Sequence, residues 1–206
     1  MSEFRREIPP ALERILINKA HDSLDRLIMS LLYDAANEPI DYPVAATVLD
    51  KTGSMVLGEG VADDVKTKTP TGHAEANAII AACLTHKEEL TDGGIIISSV
   101  EPCNLCAEAI MSRLGDEALV ASVASREEIE AVGHVNPRSG SYRDRTFKQI
   151  NLAEKDTALR EKSEALYLRG GVTRDPSTGI TIVSQELLRQ ELERIGLIYR
   201  VAGQRR

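Results

Sequence analysis

Apolar residues recur along the chain at two alternating spacings, and the alternation predicts most of its elements. Leu24, Leu27, Ile28, Leu31, Leu32 and Ala35 repeat at steps of three and four, the stripe of an amphipathic helix. Pro9-Pro10 opens that helical region, and the run Asn37 to Pro43 closes it. Val44 to Asp50 reads as a strand, Lys51-Thr52-Gly53-Ser54 as a hairpin turn, and Met55 to Val61 as a second strand. A polar connection, Ala62 to Gly72, leads into an Ala-rich helix from His73 to about Thr85. Asp92-Gly93-Gly94 is a turn before the buried-strand run Ile95 to Val100. Pro102 then starts a helix from about Cys103 to Leu114. Leu119 to Ala124 is a further strand, and Ser125-Arg126-Glu127-Glu128 begins another helix.

The order is helix, hairpin, helix, strand, helix, strand, helix. It favours an α/β fold, a three-layer α/β/α sandwich, with its core in residues 1–132. From Gly133 to Arg145 the Gly, Ser, Asn, Pro and Arg content is that of a loop. Beyond it we expect a helix within 151–168, a turn at Asp175 to Gly179, a strand at Ile180 to Val183 and a last helix at about 185–196. Residues 133–206 therefore read as a C-terminal α/β extension packed on the core, not an independent domain.

Composition narrows the class. With 206 residues, 42% apolar and 28% charged, the chain has the make-up of an ordinary soluble domain. Aromatics are only 3% and Trp is absent, so the core must come from Ile, Leu, Val and Ala. No stretch approaches the ~18–20 apolar residues of a membrane span, and MSEFRREIPP lacks the apolar segment of a secretory signal. A cytoplasmic protein without a membrane partner is expected. Net charge is −7, split as −12 over residues 1–134 (11 Lys+Arg against 23 Asp+Glu) and +5 over 135–206 (14 against 9). A basic tail on an acidic body explains the split, and the acidic body counts against a nucleic-acid partner. A tail that handles an anionic ligand is the sharper alternative.

The candidate chemistry lies in two segments. Three cysteines cannot all pair, and in a reducing cytosol the C-x-x-C of Cys103 and Cys106 points to a metal or redox site. His73-Ala74-Glu75 supplies an imidazole and a carboxylate. Two thiolates and an imidazole suit Zn²⁺. In a first helical turn the two sulfurs share one face, where the N-terminal dipole favours thiolate. Inside a helix His73 and Glu75 would diverge by about 200°. At a helix mouth both can face one site, and Pro70-Thr71-Gly72 supplies the break. Cys83 and His86 lie ~15–20 Å further along that helix, too far to complete the set. Three protein ligands with a nearby carboxylate point to catalysis rather than a closed structural site. A zinc-stabilised interaction module would have no need of Glu75, and a redox C-x-x-C would not need His73-Ala74-Glu75.

TGHAEANAI and SSVEPCNLCAEAI resemble the cytidine-deaminase-like zinc deaminases, particularly the branch of guanine, cytosine and tRNA-adenosine deaminases. The resemblance spans roughly residues 20–130. It implies a central five-stranded mixed sheet between helices, zinc on His73, Cys103 and Cys106, and Glu75 as the catalytic proton shuttle. The implied reaction is hydrolytic deamination of a small amino-heterocycle, with tRNA adenosine deamination as the alternative. A homodimer is implied as well, and Glu101 matches the family's E-P-C with a loop-positioning role. One departure stands out: the family's substrate-holding Asn falls here on Ala62, whose side chain offers no hydrogen bond. Asp63 or Asp64 could substitute, against the simpler reading of a surface turn. Arg138, Arg143 or Arg145 could pair an anionic group and Tyr142 stack on a ring, against the simpler reading of a solvated connector. Tyr199 is read as a core or interface residue, with a pocket cap as the alternative. His21 reads as a surface or capping residue and Cys83 as a small buried hydrophobe.

Overall fold

The computed structural model describes residues 8–33, 43–63, 71–86, 90, 92–131, 148–169, 172–174 and 181–197. The first helix, α1 (Pro10–Tyr33), starts on proline, whose missing N–H costs nothing at that position. The stripe on α1 is buried from Leu16 through Leu32, as its spacing demanded; Ala35 lies outside the described residues. Strands β1 (Ala45–Leu49) and β2 (Val56–Val61) form the expected antiparallel hairpin. Their turn closes on Gly53 at φ +74 and on Asp50, whose carboxylate accepts from the backbone N–H groups of Thr52 at 3.2 Å and Met55 at 2.7 Å. Partial burial alone would raise the Asp50 pKa, but these bonds and the Thr52 hydroxyl hold it below the usual carboxylate value.

Helix α2 (Ala74–Thr85), strand β3 (Ile95–Val100), helix α3 (Asn104–Leu114), strand β4 (Leu119–Ala124) and helix α4 (Arg126–Ala131) follow in the expected order. The sheet runs β2-β1-β3-β4-β5, antiparallel on the β2, β1, β3 side and parallel from β3 to β5. Every residue of β1, β3 and β4 is buried, which is why these strands read as continuous apolar runs.

The fifth strand, β5 (Lys148–Asn151), comes from beyond residue 132, in a stretch between Arg145 and residue 151 where the sequence reading expects no strand. It is a four-residue edge strand with Ile150 as its single aliphatic side chain, too short and polar to show a period-two pattern. The helix expected within 151–168 is α5 (Thr157–Ser163), capped by Asp156 through Leu159 N–H at 2.7 Å and extended by a π-helical turn, Glu164–Leu168. A two-stranded pair, β6 (Val172–Arg174) and β7 (Thr181–Val183), and helix α6 (Gln185–Arg194) complete the described fold. The loop Gly133 to Arg145 and the turn Asp175 to Gly179 lie outside the described residues.

Helices thus cover both faces of the sheet. Leu16, Leu24, Leu159, Leu166, Tyr167 and Leu188 belong to one buried cluster, bringing α1, α5 and α6 to one face. Ala74, Ala78, Ala82, Ala107, Ile110 and Leu114 belong to the other, beneath α2 and α3. Tyr167 is wholly buried; its hydroxyl donates to the Pro43 carbonyl at 2.7 Å and lies 2.8 Å from Ser99 Oγ, tying the π-helical turn to β1 and β3. Burial pushes its pKa up. Among the described residues no helix is long and apolar enough to cross a membrane.

Candidate metal centre and its carboxylate

Both site helices begin immediately after a metal-binding residue type. His73 sits just before α2 with extended backbone, φ −79 and ψ 147. Cys103, preceded by Pro102, sits just before α3 at φ −80 and ψ 171. Neither side chain caps its own helix. Leaving the helical path resolves the angular conflict between His73 and Glu75, and both turn toward the first turn of α3.

His73 Nδ1 is 3.4 Å from Cys103 Sγ and 3.3 Å from Cys106 Sγ, and the two sulfurs are 3.5 Å apart. Tetrahedral zinc with ordinary bond lengths would set its sulfurs about 3.8 Å apart and a sulfur–nitrogen edge of about 3.6 Å. The triangle is therefore close to the size the ion requires, and its donor set is one zinc takes. Among the described residues this is the cluster of three donors able to hold a metal, with all three atoms within 4.8 Å of one another.

Glu75 is 4% exposed and lies against the cluster. Its Oε1 accepts from the Ser98 hydroxyl at 3.0 Å, and its Oε2 is 3.3 Å from Cys106 Sγ. Burial pushes the Glu75 carboxyl above the usual range, against the opposing hydrogen bonds of its own backbone, Cys106 and Ser98. Contact with Cys106 holds the Cys103 thiol low, aided by His73. The same contact pushes Cys106 up, together with burial and the neighbouring Glu75 carboxylate.

Ser98 is the residue the sequence reading missed. Its signal was a pair of serines, Ser98-Ser99, inside an Ile/Val strand run, since a buried hydroxyl needs a partner. Ser99 found Ala45 N–H at 3.0 Å and the Tyr167 hydroxyl, while Ser98 found Glu75.

The remaining candidates stand apart from the cluster. Cys83 is half-buried on the far part of α2, and His86 is the residue at its C-terminal end. His21 Nε2 lies 3.3 Å from Asp156 Oδ1, linking α1 to the cap of α5. Glu101 Oε2 accepts from Arg126 N–H at 2.9 Å, pinning the loop before Pro102 to the start of α4. Ala62 N–H donates to the Val44 carbonyl at 3.0 Å. Asp63 N–H donates to the Gly72 carbonyl at 2.8 Å, and its carboxylate accepts from Asn77 Nδ2 at 2.9 Å, tying the connector to α2. Asp64, Arg138, Tyr142, Arg143, Arg145 and Tyr199 lie outside the described residues.

A sequence profile of the cytidine and deoxycytidylate deaminase zinc-binding region matches residues 21–122, a span that contains every donor of the cluster. Residues 21–122 of the chain belong to the cytidine-deaminase-like zinc deaminases. Zinc is accordingly the metal of this domain. The guanine deaminase of Bacillus subtilis (strain 168) is 31% identical over 90 residues, 44% of this chain and 56% of that protein. The match thus spans little more than half the length of that relative. A guanine deaminase from Nitrosomonas europaea superposes with a TM-score of 0.53 at 18% identity, covering 79% of this chain and 98% of the other. NE0047 in complex with 2,6-diaminopurine gives 0.52 at 18% identity, over 94% and 95% of the two chains. At such identities these superpositions establish the shared fold, a five-stranded mixed sheet between helices.

Proposed function

We propose that this chain is a hydrolytic deaminase that replaces an exocyclic amine on a nucleobase, nucleoside or related amino-heterocycle with a carbonyl, releasing ammonia. The observation that carries the reading is a buried carboxylate 3.3 Å from one sulfur of a His-Cys-Cys triangle. In this reading His73, Cys103 and Cys106 hold zinc, and Glu75 is the proton carrier. Zinc, when bound, supplies Lewis acidity that makes water a nucleophile near neutral pH. Glu75 takes the proton that water loses and passes it to the ring nitrogen. It then carries the second proton of the same water to the departing amine, so water and amine become carbonyl and ammonia. A carboxyl whose pKa burial has raised suits a group that must both accept and return protons.

The relatives' activity makes guanine the first substrate to test. An acidic body over residues 1–134 supports a small-molecule substrate rather than a polyanion. The +5 charge of residues 135–206 favours the second reading, tRNA adenosine deamination, whose binding would weaken steeply with added salt. We also propose a homodimer: Ile80 and Leu84 stand exposed on the outer side of α2, a helix already apolar on its inner side. Residues 133–206 act in this proposal as an extension of the core and not as a separate domain.

The test is an ammonia-release screen of the zinc-loaded protein across purines, pyrimidines, pterins and triazines. Turnover confined to one ring class is expected, and no release from any ring would overturn the reading. Glu75→Gln is expected to keep its zinc and lose about 10²–10⁴-fold in turnover. Near-normal deamination by that variant would remove Glu75 from its role.

A further inference from the structure

We infer that Ser98 is a positioning residue: its hydroxyl fixes the direction in which Glu75 presents its carboxylate to the reacting atoms. The inference rests on the deaminase reading and adds to it a residue that is neither a metal donor nor the proton carrier.

Ser98 occupies the middle strand of the sheet, registered against Ala46 of β1 and Ser122 of β4. Its backbone is held on both sides, its side chain is 0% exposed, and its one heavy-atom torsion leaves little freedom. Glu75 is built differently. It projects from the first turn of α2 on three torsions, so burial alone does not choose which oxygen faces the cluster.

Among the described residues, the side chains of Ser98 and Cys106 contact the carboxylate. Ser98 Oγ donates to Oε1 at 3.0 Å, and Cys106 Sγ lies 3.3 Å from Oε2. These contacts differ in what survives metal binding. A cysteine that ligates zinc is a thiolate and has no proton to donate. Ser98 keeps its donor whether or not the metal is present. In the working site it therefore supplies the side-chain hydrogen bond that orients Oε1 and leaves Oε2 on the cluster side. Position 98 lies in an Ile/Val run, and an aliphatic side chain there would leave the buried Glu75 carboxylate without its hydroxyl donor.

The experiment compares wild type, Ser98→Ala, and the matched pair Ser98→Thr and Ser98→Val, all zinc-loaded. Thr and Val have nearly the same volume and differ by the hydroxyl, which separates loss of the hydrogen bond from overpacking. Ammonia release gives kcat and KM, metal analysis gives zinc content, and carbon-13 NMR follows the Glu75 carboxyl signal, assigned through Glu75→Gln. Expected for Ser98→Ala are a kcat lower by about 10–100-fold, a KM within about twofold and full zinc content. The Glu75 signal should move in Ala and Val and return toward wild type in Thr, with kcat following it.

An unchanged Glu75 signal in both Ala and Val, or equal kcat in Thr and Val, would overturn the inference. Loss of zinc in Ser98→Ala would overturn it also, since Ser98 would then act on the metal cluster. Wild-type protein without deaminase activity would refute the parent reading instead, and the NMR comparison would still report whether Ser98 holds the carboxylate.

Discussion

Where α2 meets the sheet the helix contributes mainly alanines, whereas the face under α1, α5 and α6 is filled mainly by large side chains. Beneath α2 the contacts are Ala74, Ala78 and Ala82 against β2, where Gly58 and Gly60 let the helix backbone come down onto the strand. A Cβ at Gly60 would lie within 3.0 Å of backbone atoms of Ala74, Asn77 and Ala78. Across the sheet, Leu16, Leu24, Leu159, Leu166 and Tyr167 fill a deeper layer with bulky side chains. The difference teaches where precision and bulk stability are placed. Backbone-to-backbone contact sets the mouth of α2, and with it His73 and Glu75, to within the tolerance of a metal site. The other face supplies buried volume that can relax when it is cut.

Paired substitutions would sharpen or break this contrast. Gly60→Val has the largest expected effect in it, because backbone atoms must move to admit the side chain. It should destabilise the fold by about 3 kcal/mol or more and cut zinc occupancy and activity per folded molecule at least about tenfold. Leu166→Ala should cost about 2–5 kcal/mol in denaturant titration, yet leave zinc binding and kcat of the folded fraction within about twofold. If Gly60→Val binds zinc stoichiometrically and turns over normally, the contrast fails.

Tyr167→Phe tests the latch between the π-helical turn and the sheet. Removing its hydroxyl takes the donor from the Pro43 carbonyl and leaves Ser99 with Ala45 N–H alone, an expected loss of about 1–3 kcal/mol with zinc content intact. A drop in zinc content would instead show that the latch bears on the site.

The smallest effect belongs to the β1–β2 turn, at the other end of the strands from Ser98. The folded pKa of Asp50 lies below the ordinary aspartate value, so its contribution is present above that value and is lost as pH falls through the still lower folded pKa. Asp50→Asn should therefore destabilise at pH 7 by less than about 1 kcal/mol, given solvent screening, and by less still near pH 2. A cost that does not fade in acid would place the effect in the turn geometry rather than the charge.

How much of this was legible in the chain varies with the range of the physics. Strands Ile95–Val100 and Leu119–Ala124 appear with the expected bounds, since continuous apolar runs bracketed by turn residues have few other readings. The two helix mouths were legible from Gly72 and Pro102, because those residues break helices locally. β5 was not, as an edge strand of one aliphatic residue takes its identity from β4 beside it. The pairing of Ser98 with Glu75 was equally hidden. The serine was visible as an oddity, but its partner lies 23 residues away on another element.

Residue spacing by itself determined which atoms are chemically able to grip a cation, because His73, Glu75, Cys103 and Cys106 carry their chemistry locally and sit at helix openings. It also determined the alternation of strand and helix, through short-range periodicity. Tertiary structure alone decided that α2 descends onto Gly58 and Gly60, that the three donors close to 3.3–3.5 Å, and that a serine hydroxyl meets the carboxylate. Those facts depend on distances between segments far apart in the chain, which no local pattern encodes.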